Sequence, residues 1–284
     1  MNLQWYPGHM TKSVRAMKEQ MGLIDLVIEI VDARIPYSSR NPDIEELAKG
    51  KCRMLVLNKT DLADPSVTAL WKKAFESRGI TVLELDARKS DAASRVRPLI
   101  REACREKTLR DKKRGIVGRP VKAMICGIPN VGKSTLINSM VGKTSAKTGN
   151  KPGVTRGNQW IQTSFGVTLL DTPGILWPKF EDQTVGRHLA LIGSINDDIL
   201  DEKELALELI RILSEAHPEA LAGKYEISGT GDGYEALELA GTRLGMLGKG
   251  GEADLSRTAK RILDDFRSGR LGRISLETPE KEKA

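Results

Sequence analysis

The chain has 284 residues, 39% of them hydrophobic, and a formal net charge of +7, enough to bury one large or two modest cores without disulfides or metals as staples. Its three cysteines, Cys52, Cys104 and Cys126, are odd in number and lack metal-ligand spacing, so they read as small buried hydrophobes. No apolar run reaches membrane-spanning length and the N-terminus lacks a signal peptide's apolar core, so a cytosolic, reduced protein without a membrane partner is expected.

Residues 11–22 read as a helix with Val14, Met17 and Met21 on one face, followed by an apolar strand at 25–31. A second buried-strand pattern, 53–57, runs directly into Asn58-Lys59-Thr60-Asp61. An N-K-x-D at a strand's C-terminal end lies where open α/β sheets bind ligands. The Asp61 carboxylate can accept from the guanine N1–H and exocyclic amine, a donor pair that adenine lacks. A third strand, 81–85, ends in Asp86-Ala87-Arg88, a loose match to the S-A-K that usually completes a guanine site. Residues 101–122 then carry nine basic against three acidic side chains. Such a stretch is either a solvated connector or a strip facing nucleic-acid phosphates.

The fourth strand, 121–126, enters Gly127-Ile128-Pro129-Asn130-Val131-Gly132-Lys133-Ser134, a full G-x-x-x-x-G-K-[ST] phosphate loop, and a helical stretch from Thr135 to Val141 leaves it. Here backbone N–H groups of the loop can surround phosphate oxygens, Lys133 can reach the β- and γ-phosphates, and the Ser134 hydroxyl can ligate magnesium. Asn130 matches a position resembling the potassium ligand of potassium-stimulated GTPases. In the segment 149–156, Thr155 has the order and spacing of a switch threonine that contacts magnesium and γ-phosphate. Strands at 158–163 and 167–170 follow, the latter closed by Asp171-Thr172-Pro173-Gly174. In that D-x-x-G, Asp171 can hold magnesium through water and the Gly174 N–H can meet the γ-phosphate. Ile175 stands where many GTPases place a glutamine, and an apolar side chain cannot orient the attacking water.

The guanine motif precedes the phosphate loop by about 70 residues, the reverse of the ordinary GTPase order. The pattern therefore predicts a circularly permuted, doubly wound, mostly parallel six-stranded P-loop α/β sheet, because moving the chain's ends leaves every ligand loop at the same sheet edge. Two domains are expected: a GTPase domain at 1–178 and a C-terminal α-helical domain at 179–284. The first carries 30 Lys and Arg against 17 Asp and Glu, the second 15 against 21. In the second, 202–213 reads as a helix, and another places Leu255, Ala259, Ile262, Leu263 and Phe266 on one face with Arg257, Lys260 and Arg261 opposite, an ordinary amphipathic helix or an RNA-facing one. Since the sheet and its nucleotide loops end before Pro178, deleting 243–284 is expected to spare GTP binding.

The motif order, together with Trp5-Tyr6-Pro7-Gly8-His9-Met10, Asp32-Ala33-Arg34-Ile35-Pro36, Gly245-Met246-Leu247 and the stretch from Phe266 to Arg273, resembles the YlqF/RbgA family of circularly permuted ribosome-biogenesis GTPases over nearly the whole chain. The resemblance implies a monomeric GTPase that binds GTP and GDP, acts in late assembly of the large ribosomal subunit, and turns over faster on that subunit's precursor. It also implies that the helical domain contacts ribosomal RNA, and that His9 activates water with Lys133 and Thr155 as catalytic partners. The nucleotide would be held by Asn58, Lys59, Asp61, Asp86, Ala87, Arg88, Asn130, Val131, Gly132, Lys133, Ser134, Thr135 and Gly174. Magnesium would fall to Ser134, Thr155 and Asp171, and potassium to Asn130. A GTP-gated RNA- or protein-binding regulator, and an organellar paralogue with the same chemistry, remain as alternatives.

Overall fold

The computed structural model describes residues 6–142, 158–227 and 232–279, without the His9 side chain. Thr155 and the rest of the 149–156 segment lie outside the described residues. The described residues divide into two compact units, one within 6–181 together with 275–279 and one within 182–274.

The first unit is built on six strands: β1 (Leu26–Asp32), β2 (Cys52–Asn58), β3 (Thr81–Glu84), β4 (Val121–Cys126), β5 (Gln159–Gln162) and β6 (Val167–Asp171). They form one sheet in the order β3-β2-β1-β4-β6-β5, parallel throughout except for the edge strand β5, which runs antiparallel to β6. All seven residues of β1 are buried, the signature of a central parallel strand covered on both faces. Pairing of β1 with β4, Leu26 opposite Ala123 through Glu29 opposite Cys126, joins the guanine half of the permuted chain to the phosphate half. The expected α/β architecture is thus present, with all six strands within a residue or two of the sequence reading.

Helices α1 (Gly8–Gln20), α2 (Pro42–Leu47), α3 (Pro65–Glu76), α4 (Ala92–Ala103), α5 (Arg105–Lys113) and α6 (Lys133–Val141) belong to this unit. Asp64 caps α3, its carboxylate accepting from Ser66 and Val67 N–H at 2.7 and 3.2 Å, and Pro65 supplies a first-turn residue with no N–H to satisfy. Trp71 and Phe75, stacked at 5.3 Å between ring centroids, lock α3 into a core with Leu55, Leu57 and Val82. The helix after the phosphate loop starts at Lys133, two residues before the expected 135, because the loop's own last residues form its first turn. The basic helix α5 buries none of its side chains.

The second unit contains α7 (Gln183–Leu191), α8 (Glu202–Ala216), α9 (Pro218–Tyr225), α10 (Gly233–Arg243) and α11 (Leu255–Arg267). Leu205, Leu209, Ile210 and Leu213 of α8 pack with Ile262, Leu263 and Phe266 of α11 into its core. Buried Asp265 accepts from Tyr225 Oη at 3.0 Å and Arg261 Nε at 3.1 Å, and pairs with Arg270. Arg267 donates to the Ala190 and Leu191 carbonyls and to Asp197. Of the three basic residues that the sequence places opposite the apolar face of α11, Arg261 is thus turned onto Asp265 within this unit. The last residues depart from the expected division at 178: residues 275–279 return to the sheet unit.

Candidate nucleotide site

The phosphate loop follows β4, and its glycines are required by the neighbouring strands. At Gly127, φ is +146° and a Cβ would lie 2.3 Å from the Ile30 carbonyl oxygen; at Gly132, φ is +98° and a Cβ would lie 2.3 Å from Asn58 Nδ2. Asn130 also adopts a left-handed conformation, φ +60°. Ser134 and Thr135 occupy the first turn of α6, where the N-terminal end of the helix dipole favours an anion. The Lys133 ammonium, 6% exposed, folds onto the loop and donates to the Gly127 and Ile128 carbonyls at 3.1 and 2.7 Å. Burial pushes its pKa down to about 8 against the attraction of Asp171. A phosphate entering the loop offers this cation oxygens of full charge in place of carbonyls.

Asp171 ends β6 beside Lys133. Burial pushes its carboxyl up to about 6, Lys133 and the Thr172 N–H offsetting part of the cost. Its Oδ1 is buried with no hydrogen-bond partner among the described residues. A buried, orphaned carboxylate oxygen beside Lys133 of the phosphate loop is a hard oxygen donor of the kind that suits a divalent cation such as magnesium. Thr172 anchors the D-x-x-G by donating to the Ile125 carbonyl at 2.7 Å, and the Ile175 N–H donates to the Gly127 carbonyl at 3.3 Å. Gly174 lies against the phosphate loop so closely that a Cβ would fall 2.7 Å from Pro129 Cα, 2.8 Å from Pro129 N and 2.9 Å from Lys133 Nζ.

The guanine side is joined to this loop through one side chain. Asn58, 3% exposed at the end of β2, donates from Nδ2 to the Val131 carbonyl at 2.7 Å, and its Oδ1 accepts the Ala87 N–H at 2.9 Å. N-K-x-D, D-A-R and phosphate loop thus meet at a single amide. Lys59, in the left-handed region at φ +61°, pairs with Asp32 Oδ2 at 3.0 Å, and Arg34 grips the same carboxylate through Nε at 2.9 Å and Nη2 at 2.8 Å. Burial opposes ionisation of Asp32, but Arg34 and Lys59 hold its carboxyl well below the usual range. Asp61 Oδ2 accepts from Arg88 Nη2 at 2.5 Å while Asp61 Oδ1 is buried and unpartnered among the described residues. Arg88 in turn lies on Asp86 at 3.0 and 3.1 Å and holds that carboxyl below its ordinary range. The half-satisfied Asp61 carboxylate is the group expected to meet the base.

The N-terminal segment reaches the phosphate end. Met10 is buried, and its Sδ accepts the Leu176 N–H at 3.4 Å; Asn41 Nδ2 donates to the Ile175 carbonyl at 3.3 Å. His9, one residue earlier, lies in the first turn of α1. Ile175 and Leu176 are fully buried, so neither presents a group to solvent beside the D-x-x-G. The brace of Asp32 and Arg34 and the contacts of Asn41 had no reading from spacing alone; the only prior signal was the Asp-Ala-Arg-Ile-Pro string itself.

A protein-family model described as "50S ribosome-binding GTPase" matches residues 122–220. The chain is 45% identical to Ribosome biogenesis GTPase A of Bacillus licheniformis over 99% of both chains. It is 30% identical to the protein of that name from Thermotoga maritima, covering 98% of this chain and 95% of that one. The mouse Mitochondrial ribosome-associated GTPase 1 is 34% identical, with 96% and 90% covered. Among solved structures, GNP-bound YlqF from T. maritima superposes with a TM-score of 0.66 at 27% identity, covering 95% of this chain and 99% of that one. Among the described residues, no helix is long and apolar enough to cross a membrane.

Proposed function

Because the chain belongs to the YlqF/RbgA family of ribosome biogenesis GTPases and is a GTP-hydrolysing enzyme, we propose that it serves late assembly of the large ribosomal subunit and that the subunit precursor and its RNA stimulate its turnover. The family description as a 50S ribosome-binding GTPase supports the choice of subunit. We assign guanine reading to Asp61, phosphate binding to Lys133 and the loop N–H groups, and γ-phosphate sensing to the Gly174 N–H. Ser134, Asp171 and Thr155 hold magnesium, which when bound neutralises charge on the β- and γ-phosphates. Asn130 is assigned the potassium ligand, and hydrolysis compared in potassium and sodium buffers tests that assignment. The protein acts as a cytoplasmic monomer in this reading.

The observation that carries the catalytic part is the seating of Met10 on the Leu176 N–H. It holds the start of α1 next to the position where other GTPases carry their water-orienting glutamine, and Ile175 there is buried and apolar. His9 on that first turn supplies the missing group once the precursor is bound. His9→Ala is expected to keep GTP affinity and to lower precursor-stimulated turnover about 100-fold, the usual cost of a lost positioning or acid–base group. Stimulation at the wild-type level would remove His9 from the mechanism. Salt-sensitive cosedimentation with the large subunit in a non-hydrolysable GTP analogue tests the partner, and its absence would favour a GTP-gated regulator with another target.

A further inference from the structure

The helical unit, 182–274, is inserted in the chain between parts of the GTPase unit: the chain leaves shortly after Asp171-Thr172-Pro173-Gly174 and re-enters at Ser275. The re-entering tail binds three elements around the guanine loop. Ser275 Oγ accepts the Asp64 N–H at 3.1 Å, at the end of the loop that carries Asp61. The Leu276 N–H donates to the Arg34 carbonyl at 2.9 Å. The Glu277 carboxylate, in a residue 7% exposed, accepts the Tyr37 N–H at 2.8 Å, the Ser38 N–H at 3.1 Å and the Ser38 hydroxyl, and the Glu277 carbonyl accepts the Trp71 indole N–H of α3 at 3.0 Å.

A carboxylate is costly to bury and is retained only where donors replace its water. Here two backbone N–H groups and a hydroxyl do so, all from the loop 36–39 that follows Arg34. Arg34 fixes Asp32, and Asp32 fixes Lys59 of the N-K-x-D. The Asp61 loop is therefore held at its far end by Ser275 through Asp64, and Lys59 is held through the Glu277-bound segment and Arg34.

We propose that residues 275–277 brace the guanine site and that Glu277, acting through the 36–39 loop, Arg34, Asp32 and Lys59, is a positioning residue for the N-K-x-D that carries Asp61. Deletion of 243–284, which from sequence should spare GTP binding, removes this brace and accelerates release of guanine nucleotide. The helical unit is thus continuous in the chain with a segment that governs the base end of the site.

The test is stopped-flow release of ribose-labelled fluorescent GDP and IDP from full-length wild type and the variants Glu277→Ala, Glu277→Gln and Ser275→Ala. Inosine lacks the exocyclic amine, so it loses one of the two bonds to Asp61. For Glu277→Ala, GDP release is expected to rise about tenfold, within the usual range of site coupling, and IDP release about twofold to threefold, so that the preference for guanine narrows. Glu277→Gln, which keeps one acceptor oxygen, is expected to fall between. Ser275→Ala leaves the carboxylate in place, and should speed GDP release about threefold, as the loss of one hydrogen bond does. Equal acceleration of GDP and IDP, or unchanged release with a lowered melting temperature, would show that the tail only stabilises the fold and would overturn the proposal.

Discussion

Asn58→Ala removes the one side chain that joins the guanine and phosphate loops. The amide donates to the Val131 carbonyl at 2.7 Å and accepts from the Ala87 N–H at 2.9 Å, and Val131, Ala87 and Asn58 are all buried. Truncation leaves one buried acceptor and one buried donor, each costing about 1–3 kcal/mol when unsatisfied. Water entering the space beside Gly132 recovers part of this, so a net loss of about 3 kcal/mol is expected, or about 6–12 °C in the melting temperature of a unit this size. Because the same amide fixes the two loops relative to each other, GTP affinity should also fall at least about tenfold, equivalent to about 1.4 kcal/mol. Asn58→Asp separates the two bonds. It keeps an acceptor for Ala87 but turns an oxygen toward the Val131 carbonyl, and should lose GTP affinity as alanine does. Melting curves of the nucleotide-free protein and titration with a fluorescent GTP analogue read both effects. An alanine variant melting within about 2 °C of wild type, with GTP affinity within about twofold, would refute the bridge as the coupling between the loops.

Gly174→Ala drives a methyl into Pro129 backbone atoms at 2.7 and 2.8 Å, and such overpacking costs about 1–3 kcal/mol. The clash lies on the γ-phosphate side, so titration should show GTP affinity falling more than GDP affinity, and an equal loss for both would contradict the placement. A pH dependence follows from Asp171, whose carboxyl burial raises from 3.8 to about 6. Its folded pKa exceeds its unfolded one, so this group's contribution to the nucleotide-free fold is full below the unfolded value and is lost as pH rises through about 6. Magnesium needs the ionised form, so magnesium-dependent GTP affinity should fall about tenfold per unit as pH drops below the Asp171 pKa. Asp171→Asn should abolish the profile, and a flat wild-type profile over the same range would remove Asp171 as the ligand.

The strands and the phosphate loop were legible because their causes are local. An apolar run such as 121–126 must be buried, and Gly127 and Gly132 announce backbone conformations that other residues resist. The reversed motif order was equally plain, since each motif occupies a few consecutive residues at a strand's end. Side-chain partnerships were not legible, because strand order and register decide them. Pairing of β1 with β2 sets Asp32 opposite Asn58, and from that follow the Lys59–Asp32–Arg34 cluster and the seat of Asn58 on a carbonyl 73 positions away. Arg88 was read as a loose stand-in for a guanine contact; only the folded loops show it gripping Asp61 and Asp86 together. The tail gave no periodic apolar signal, because it is held by backbone hydrogen bonds and one carboxylate whose partners lie about 240 positions earlier. A single buried glutamate near a chain end looks like any exposed one until the fold supplies the donors that replace its water.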